Sequence, residues 1–222
     1  MTISITTRNC SQYSHPEFEL HFDKSLIINE DLEWYINLLE DNVKAGTIYK
    51  PDDLIQTGCM INKVVPSISE NLKLQEPDLE RFPIRYIDSI TNTLKILRIQ
   101  KEIGENLNMI GMVSFPSIFE SGIICNGILS DCEATIHRMK IDDNDPHDSG
   151  WFVGCSDSSH DHNNPENLLR TSLYDIFLKV PNLIKYFALP DGTYIEIKKG
   201  IIDKLLYKDK KWKWKSNRAI RI

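Results

Sequence analysis

The sequence predicts an α+β protein made of two consecutive halves, each a small, mostly antiparallel sheet packed with one or two helices. Three observations carry that prediction. Short runs that alternate apolar and polar residues with period two are interleaved with a few runs of helical period. These runs fall into two groups on either side of residues 109–119, a stretch with Pro116 and few charges that reads as a linker or packed loop. The composition is that of a globular chain: 222 residues, 41% hydrophobic and 26% charged, enough to bury roughly two-thirds of the unfolded surface without staples.

Along the first half, FELHF (18–22) alternates as a half-buried strand does. A helix follows, with Asn29 as its expected cap and Glu30, Asp31 and Glu33 at the positive end of its dipole. Leu32, Tyr35, Ile36, Leu39 and Val43 recur at helical spacing, and Gly46 is a natural stop. Residues 53–65 (DLIQTGCMINKVV) read as one strand ended by Pro66, and LKLQE (72–76) as a short partner. Pro77 and Pro83 make a loop, and a second helix is expected from about Asp88 to Asn108, with Ile90, Leu94, Leu97 and Ile103 inward.

In the second half, GIICNGIL (122–129) and ATIHRM (134–139) read as strands that could pair through the loop around Asp131. IDDNDPHDSG (141–150) is a polar loop of turn formers, WFVGC (151–155) a short apolar strand, and SDSSHDHNNPEN (156–167) a second polar loop. Leu168 to Val180 is expected to be helical, with Leu169, Leu173, Ile176, Phe177 and Val180 inward. Pro181 can start a further short helix, Pro190-Asp191-Gly192 is a turn, and TYIEIK (193–198) is a closing strand. The domain reading is therefore 1–115, an α+β domain of unassigned role, a second α+β domain over 120–199, and a basic Trp/Lys segment over 200–222.

The charge is uneven. The net charge is −6, yet Ile201–Ile222 has eight Lys and Arg against two Asp, so the tail is +6 and the rest −12. An acidic body disfavours nucleic acid and favours a basic protein surface as partner. In KDKKWKWKSNRAIRI, lysines alternate with Trp212 and Trp214, which suits an edge strand whose indoles pack on the body. The start, MTISITTRNC, lacks the basic and apolar regions of a secretory signal, and no apolar run can span a bilayer. Five scattered cysteines, at 10, 59, 125, 132 and 155, read as reduced thiols, several of them on buried strands. The expectation is a cytoplasmic chain with no membrane partner, and the sequence implies no oligomeric state.

No GxxxxGK[ST] and no strand-linked GxGxxG occurs, and GCSDS is not GxSxG. The densest cluster of chemistry-bearing residues is Cys155, Asp157, His160, Asp161 and His162, with His147 and Asp148 before it. Its plain reading is a loop in which Asp, Ser and Asn satisfy the backbone. The alternative is a metal site, for metal binding or metal-dependent hydrolysis, on Cys155, His160 and His162, although neither HEXXH nor CXXC is present. A nucleophilic Cys155 with His160 as base is disfavoured, because acidic neighbours raise a thiol pKa. On these grounds the sequence points to a binding protein rather than an enzyme, with no cofactor expected.

DSGW at Asp148-Ser149-Gly150-Trp151 opens an ordered series of features. A short apolar strand with Gly154 follows, then Asn164-Pro165-Glu166-Asn167, a helical stretch, Pro181-Asn182-Leu183, and Leu189-Pro190-Asp191-Gly192-Thr193-Tyr194-Ile195-Glu196. Over residues 120–199 this order resembles the Imm33 immunity-protein domain, also known as the DUF2185 domain. The resemblance implies a small α+β domain and a cytoplasmic bacterial immunity protein that binds and neutralises a cognate toxin of a polymorphic toxin system. Asp148, Ser149, Gly150, Trp151, Gly154, Asn167, Pro190 and Gly192 are the motif positions, expected to fix the fold first. Asp142, Asp143, Asp145, Asp157, Asp161 and Glu166 are the expected contributors to an acidic face that meets a basic toxin. The chain departs from the family pattern in carrying Cys155 and the HDH triplet after Gly154, and in its long N-terminal half.

Overall fold

In the computed structural model, which describes residues 1–128, 133–141, 144–157 and 159–211, the chain divides into two compact units, Met1–Arg98 and Ile99–Ile222. The division falls within the second helix, so residues 109–119 lie inside the second unit.

The first unit contains β1 (Thr2–Thr6), β2 (Phe18–Asp23), α1 (Asn29–Lys44), β3 (Leu54–Thr57), β4 (Met60–Pro66), β5 (Leu72–Pro77), β6 (Tyr86–Ile87) and the start of α2 (Thr91–Asn106). The strands form a six-stranded sheet in the order β1-β2-β5-β4-β3, with β6 on β5. Only β2 and β5 run parallel. Phe18, Leu20 and Phe22 alternate inward from β2, and α1 lays Leu32, Tyr35, Leu39 and Val43 into the same cluster, with Val64, Leu74, Ile90 and Leu94. Ile28, in extended backbone, occupies the cap position of α1, and Asn29 is its first helical residue rather than its cap. Gly46 stops the helix with φ +97°, its N–H on the Val43 carbonyl at 2.9 Å.

Residues 53–65 are not one strand. Thr57 faces Met60 across a two-residue turn at Gly58-Cys59, and Gly58 has φ +61°, as the first residue of a type II′ hairpin requires. Apolar residues on both sides of the turn mask it, and Gly58 is its one local signal. The unit also buries a polar chain. Glu76, fully inaccessible on β5, accepts the Asn92 and Thr93 N–H groups at 3.0 and 2.7 Å and the Thr93 hydroxyl at 2.9 Å. It thereby supplies the acceptor for the orphan donors that open α2. Thr93 Oγ1 accepts from Asn62 Nδ2 at 3.0 Å, and Asn62 Oδ1 accepts from the Tyr35 hydroxyl at 3.1 Å.

The second unit contains β7 (Ser121–Cys125), β8 (Ala134–Arg138), β9 (Asp148–Cys155), β10 (Leu168–Ser172), α3 (Leu173–Lys179), a 3-10 turn over Pro181–Tyr186, β11 (Thr193–Lys198), β12 (Ile201–Tyr207) and β13 (Lys210–Lys211). These strands form one seven-stranded sheet, β10-β7-β9-β8-β11-β12-β13, in which only β7 and β9 are parallel.

Three expectations are corrected here. β7 and β8 do not pair: β9 enters between them, since it is the most continuously buried strand and takes the central place. The strand at 193–198 does not close the sheet, because β12 and β13 follow it. Residues 168–172 are strand rather than helix, with Leu169 exposed. Ser172 accepts the Asp175 N–H at 3.1 Å and so starts α3 only at Leu173. Trp212 and Trp214 lie outside the described residues. Among those described, no helix is long and apolar enough to cross a membrane.

Candidate functional site

The central strands divide their side chains by parity. Trp151 and Val153 of β9, Ile136 of β8 and Ile195 of β11 share one buried face. That face meets α3 and the 3-10 turn: a Cβ on Gly122 would sit 3.0 to 3.1 Å from Ile176 and Leu173, and the Trp151 ring packs on Phe187 with centroids 5.5 Å apart. The opposite face shows the row Phe152, His137, Tyr194 and beside it Gly154, Thr135, Glu196, set side by side by the register of the strands. This face lines a cavity of about 610 Å³ together with Cys155, Asp157, His160, His162 and Lys198.

The loop that begins after Cys155 folds over this face. Asp157 accepts the Ser159 N–H and hydroxyl at 2.8 and 2.7 Å, bonds that hold its carboxyl below the usual carboxylate range. Asp161 accepts the Asn163 N–H at 2.9 Å, and Asn167 Nδ2 donates to the Asp161 carbonyl at 2.9 Å. Asn126 ties the loop to the end of β7 by donating to the Asn167 carbonyl at 2.8 Å. His162 stands edge-on to Phe152 with centroids 5.7 Å apart, and His160 lies 5.0 Å from His162. Cys155 Sγ is 3.2 Å from His160 Nδ1 and 3.5 Å from His162 Nε2. Cys125 completes the group: its sulfur accepts the Cys155 N–H at 3.1 Å, and burial pushes its thiol pKa up. One ligand atom from each of Cys125, Cys155, His160 and His162 lies within 4.8 Å of the other three.

Four of the six expected acidic residues are among the described residues. Asp157, Asp161 and Glu166 are exposed on the loop after β9. Asp145 lies before the start of β9. It is paired with Arg170, which holds its carboxyl down. Asp142 and Asp143 lie outside the described residues.

Several motif positions make local backbone and packing contacts. Asp148 Oδ1 accepts the Gly150 N–H at 3.0 Å, and the buried Ser149 hydroxyl donates to the Ser121 carbonyl at 2.7 Å. Gly150 has φ +73°, and a Cβ there would lie 2.4 Å from the Met139 carbonyl oxygen. Trp151 Nε1 donates to the Phe187 carbonyl at 3.0 Å. Gly154 leaves room for the Phe152 ring, which a Cβ would meet at 2.8 Å. Beyond Pro190, Gly192 turns at φ +82° and donates to the Arg138 carbonyl at 2.7 Å.

Sequence reasoning missed Arg138. It is 2% exposed and donates to the carbonyls of Ser149, Ser114 and Leu189 at 3.2, 3.0 and 2.6 Å, with its guanidinium 5.8 Å from the Trp151 ring centroid. Burial lowers its pKa, while Asp191 and Glu120 oppose that shift. Its alternation with Ala134 and Ile136 was the available signal for an inward-facing charge.

A family model described as the Imm33-like domain matches residues 99–208. This similarity lies in the C-terminal part of the chain. The match begins at the residue where the second unit begins and extends past β12, wider at both ends than the stretch 120–199 that carries the resemblance in sequence. The strands β7 to β12, the covering loop and the cavity all lie within the matched span. No curated protein and no solved structure matches the chain.

Proposed function

We propose that this chain is a cytoplasmic immunity protein that binds a cognate bacterial toxin and neutralises it by occlusion, without catalysis of its own. The observation that carries the reading is the Imm33-like domain over residues 99–208. The binding face we assign is the loop over 156–167 with the adjoining sheet face. That loop holds Asp157, Asp161 and Glu166 and no Lys or Arg, and the three acids are exposed. Beside it the row Phe152, His137 and Tyr194 offers aromatic surface. An acidic rim around an aromatic patch suits a toxin whose active-site groove is basic, since charge complementarity steers the encounter and aromatic anchors hold the complex.

The test is binding to the toxin encoded beside this gene. A triple variant Asp157→Asn, Asp161→Asn and Glu166→Gln keeps the side-chain acceptors that hold the loop and removes its charge. We expect binding at least about tenfold weaker, equal to about 1.4 kcal/mol, with unchanged thermal stability. Affinity equal to that of the wild type would remove this loop as the contact surface. Failure of the wild-type chain to bind, or to protect cells expressing the toxin, would remove the immunity reading itself.

A further inference from the structure

We propose that Cys125, Cys155, His160 and His162 form a tetrahedral site for one Zn²⁺ ion, which pins the loop over 156–167 to the ends of β7 and β9. The four groups come from three separate segments, and one donor atom of each lies within 4.8 Å of the rest. A zinc tetrahedron with sulfur and nitrogen ligands has edges of about 3.3 to 3.8 Å. The separations of Cys155 Sγ from His160 Nδ1 and His162 Nε2, 3.2 and 3.5 Å, already fall close to that range. Two thiolates with two imidazoles form a donor set that selects zinc over the hard cations magnesium and calcium.

The surrounding chain is shaped for this convergence. A Cβ on Gly127 would lie 2.0 Å from His160 Nδ1 and 3.3 Å from Cys155 Sγ, so only glycine leaves space for the imidazole at that point. Gly154 does the same for His162, whose Cε1 would lie 3.3 Å from a Cβ there. The loop also has a physical need for such a tie. SDSSHDHNNPEN carries no apolar side chain except that of Pro165, so hydrophobic burial does little to hold it against the sheet, and a bound metal adds free energy to the loop's hydrogen bonds and the His162–Phe152 contact. Binding expels the two thiol protons as the sulfurs become thiolates, and each imidazole donates its neutral nitrogen. With four protein ligands the ion has no open position for water or substrate, which makes the site structural rather than hydrolytic.

The experiment uses the full chain purified without a polyhistidine tag and kept reduced, titrated with Zn²⁺ against a chromophoric chelator and separately with Co²⁺. The expected result is uptake of one equivalent of Zn²⁺. Co²⁺ should give the visible bands of a tetrahedral site and a thiolate charge-transfer band, both abolished by Zn²⁺. His162→Ala and His160→Ala, which alter only the loop, should each weaken Zn²⁺ at least about 10–100-fold, the range that loss of an outer-shell partner alone costs. Cys125→Ser should remove part of the charge-transfer intensity. Hydrogen exchange across 156–167 should slow when Zn²⁺ is added. No uptake by the reduced chain at micromolar Zn²⁺ would overturn the site, as would uptake unchanged in both histidine variants. A Cys125–Cys155 disulfide whose reduction restores no Zn²⁺ binding would overturn it equally.

Discussion

At the scale of single residues, the positions that look like a signature act by removing atoms or by filling a buried polar need. Gly150 makes the case. Its φ of +73° lies in the left-handed region, and the Met139 carbonyl stands where a side chain would begin. Backbone strain and steric conflict therefore add. Gly150→Ala is expected to destabilise the chain by about 2–4 kcal/mol, read as a fall in the urea midpoint with an unchanged slope. A loss under about 0.5 kcal/mol would mean that the turn relaxes freely, and that the glycine is there for another reason. Arg138 is the complementary case, a buried cation that ends on three carbonyls and one indole face instead of a carboxylate. Those bonds tie β8 to the start of β9 and to the segments at Ser114 and Leu189, so one side chain fixes several backbone positions.

At the scale of elements, hydrogen-bonded carboxylates organise the first unit. Glu17, just before β2, accepts the Thr7 hydroxyl at 2.6 Å, the Ser11 N–H at 2.8 Å and the Cys10 N–H at 3.2 Å. Burial works against its ionisation, but these bonds outweigh burial and hold its pKa below the ordinary 4.5. A depressed carboxylate pKa means that the folded state prefers the charged form. The stability it contributes is full above about pH 4.5 and is lost as pH falls through the lower folded value. Urea unfolding of the wild type and Glu17→Gln should therefore differ most near neutrality and converge in acid. A constant gap across pH 3 to 7 (roughly the carboxylate window) would exclude Glu17 as a source of acid sensitivity. Glu76 is shifted the other way, raised by its burial even though Ser89, Thr93 and Asn92 favour its ionised form. It joins β5 to the first turn of α2 regardless of any cap in the local sequence.

At the scale of the whole molecule, the uneven charge matters most. An acidic body of −12 with a +6 tail has a long-range field that a basic partner would meet from a distance. If the acidic loop steers a toxin, the association rate should fall several-fold between about 50 and 200 mM salt, as screening shortens from roughly 14 to 7 Å, while the dissociation rate changes little. Stopped-flow association measured at both salt concentrations checks this. A salt-independent association rate would leave the loop a contact surface without a steering role. Asp145, which precedes β9 and is paired with Arg170, is left out of the steering face proposed for the acids after Cys155.

The sequence by itself determined the α+β class, the two groups of elements, α1 with its buried face of Leu32, Tyr35, Leu39 and Val43, and the resemblance over 120–199. Each of these rests on local periodicity or on a fixed order of turn residues, both readable along the chain. It also picked out Cys155, His160 and His162, which lie within eight residues. Only the tertiary structure decided that β9 separates β7 from β8, that residues 168–172 pair as a strand, and that Cys125 stands beside Cys155. Strand order follows from which strand buries both faces, and a ligand thirty residues away is brought in by the parallel pairing of β7 with β9. Neither leaves a mark in local spacing, because both are consequences of long-range packing.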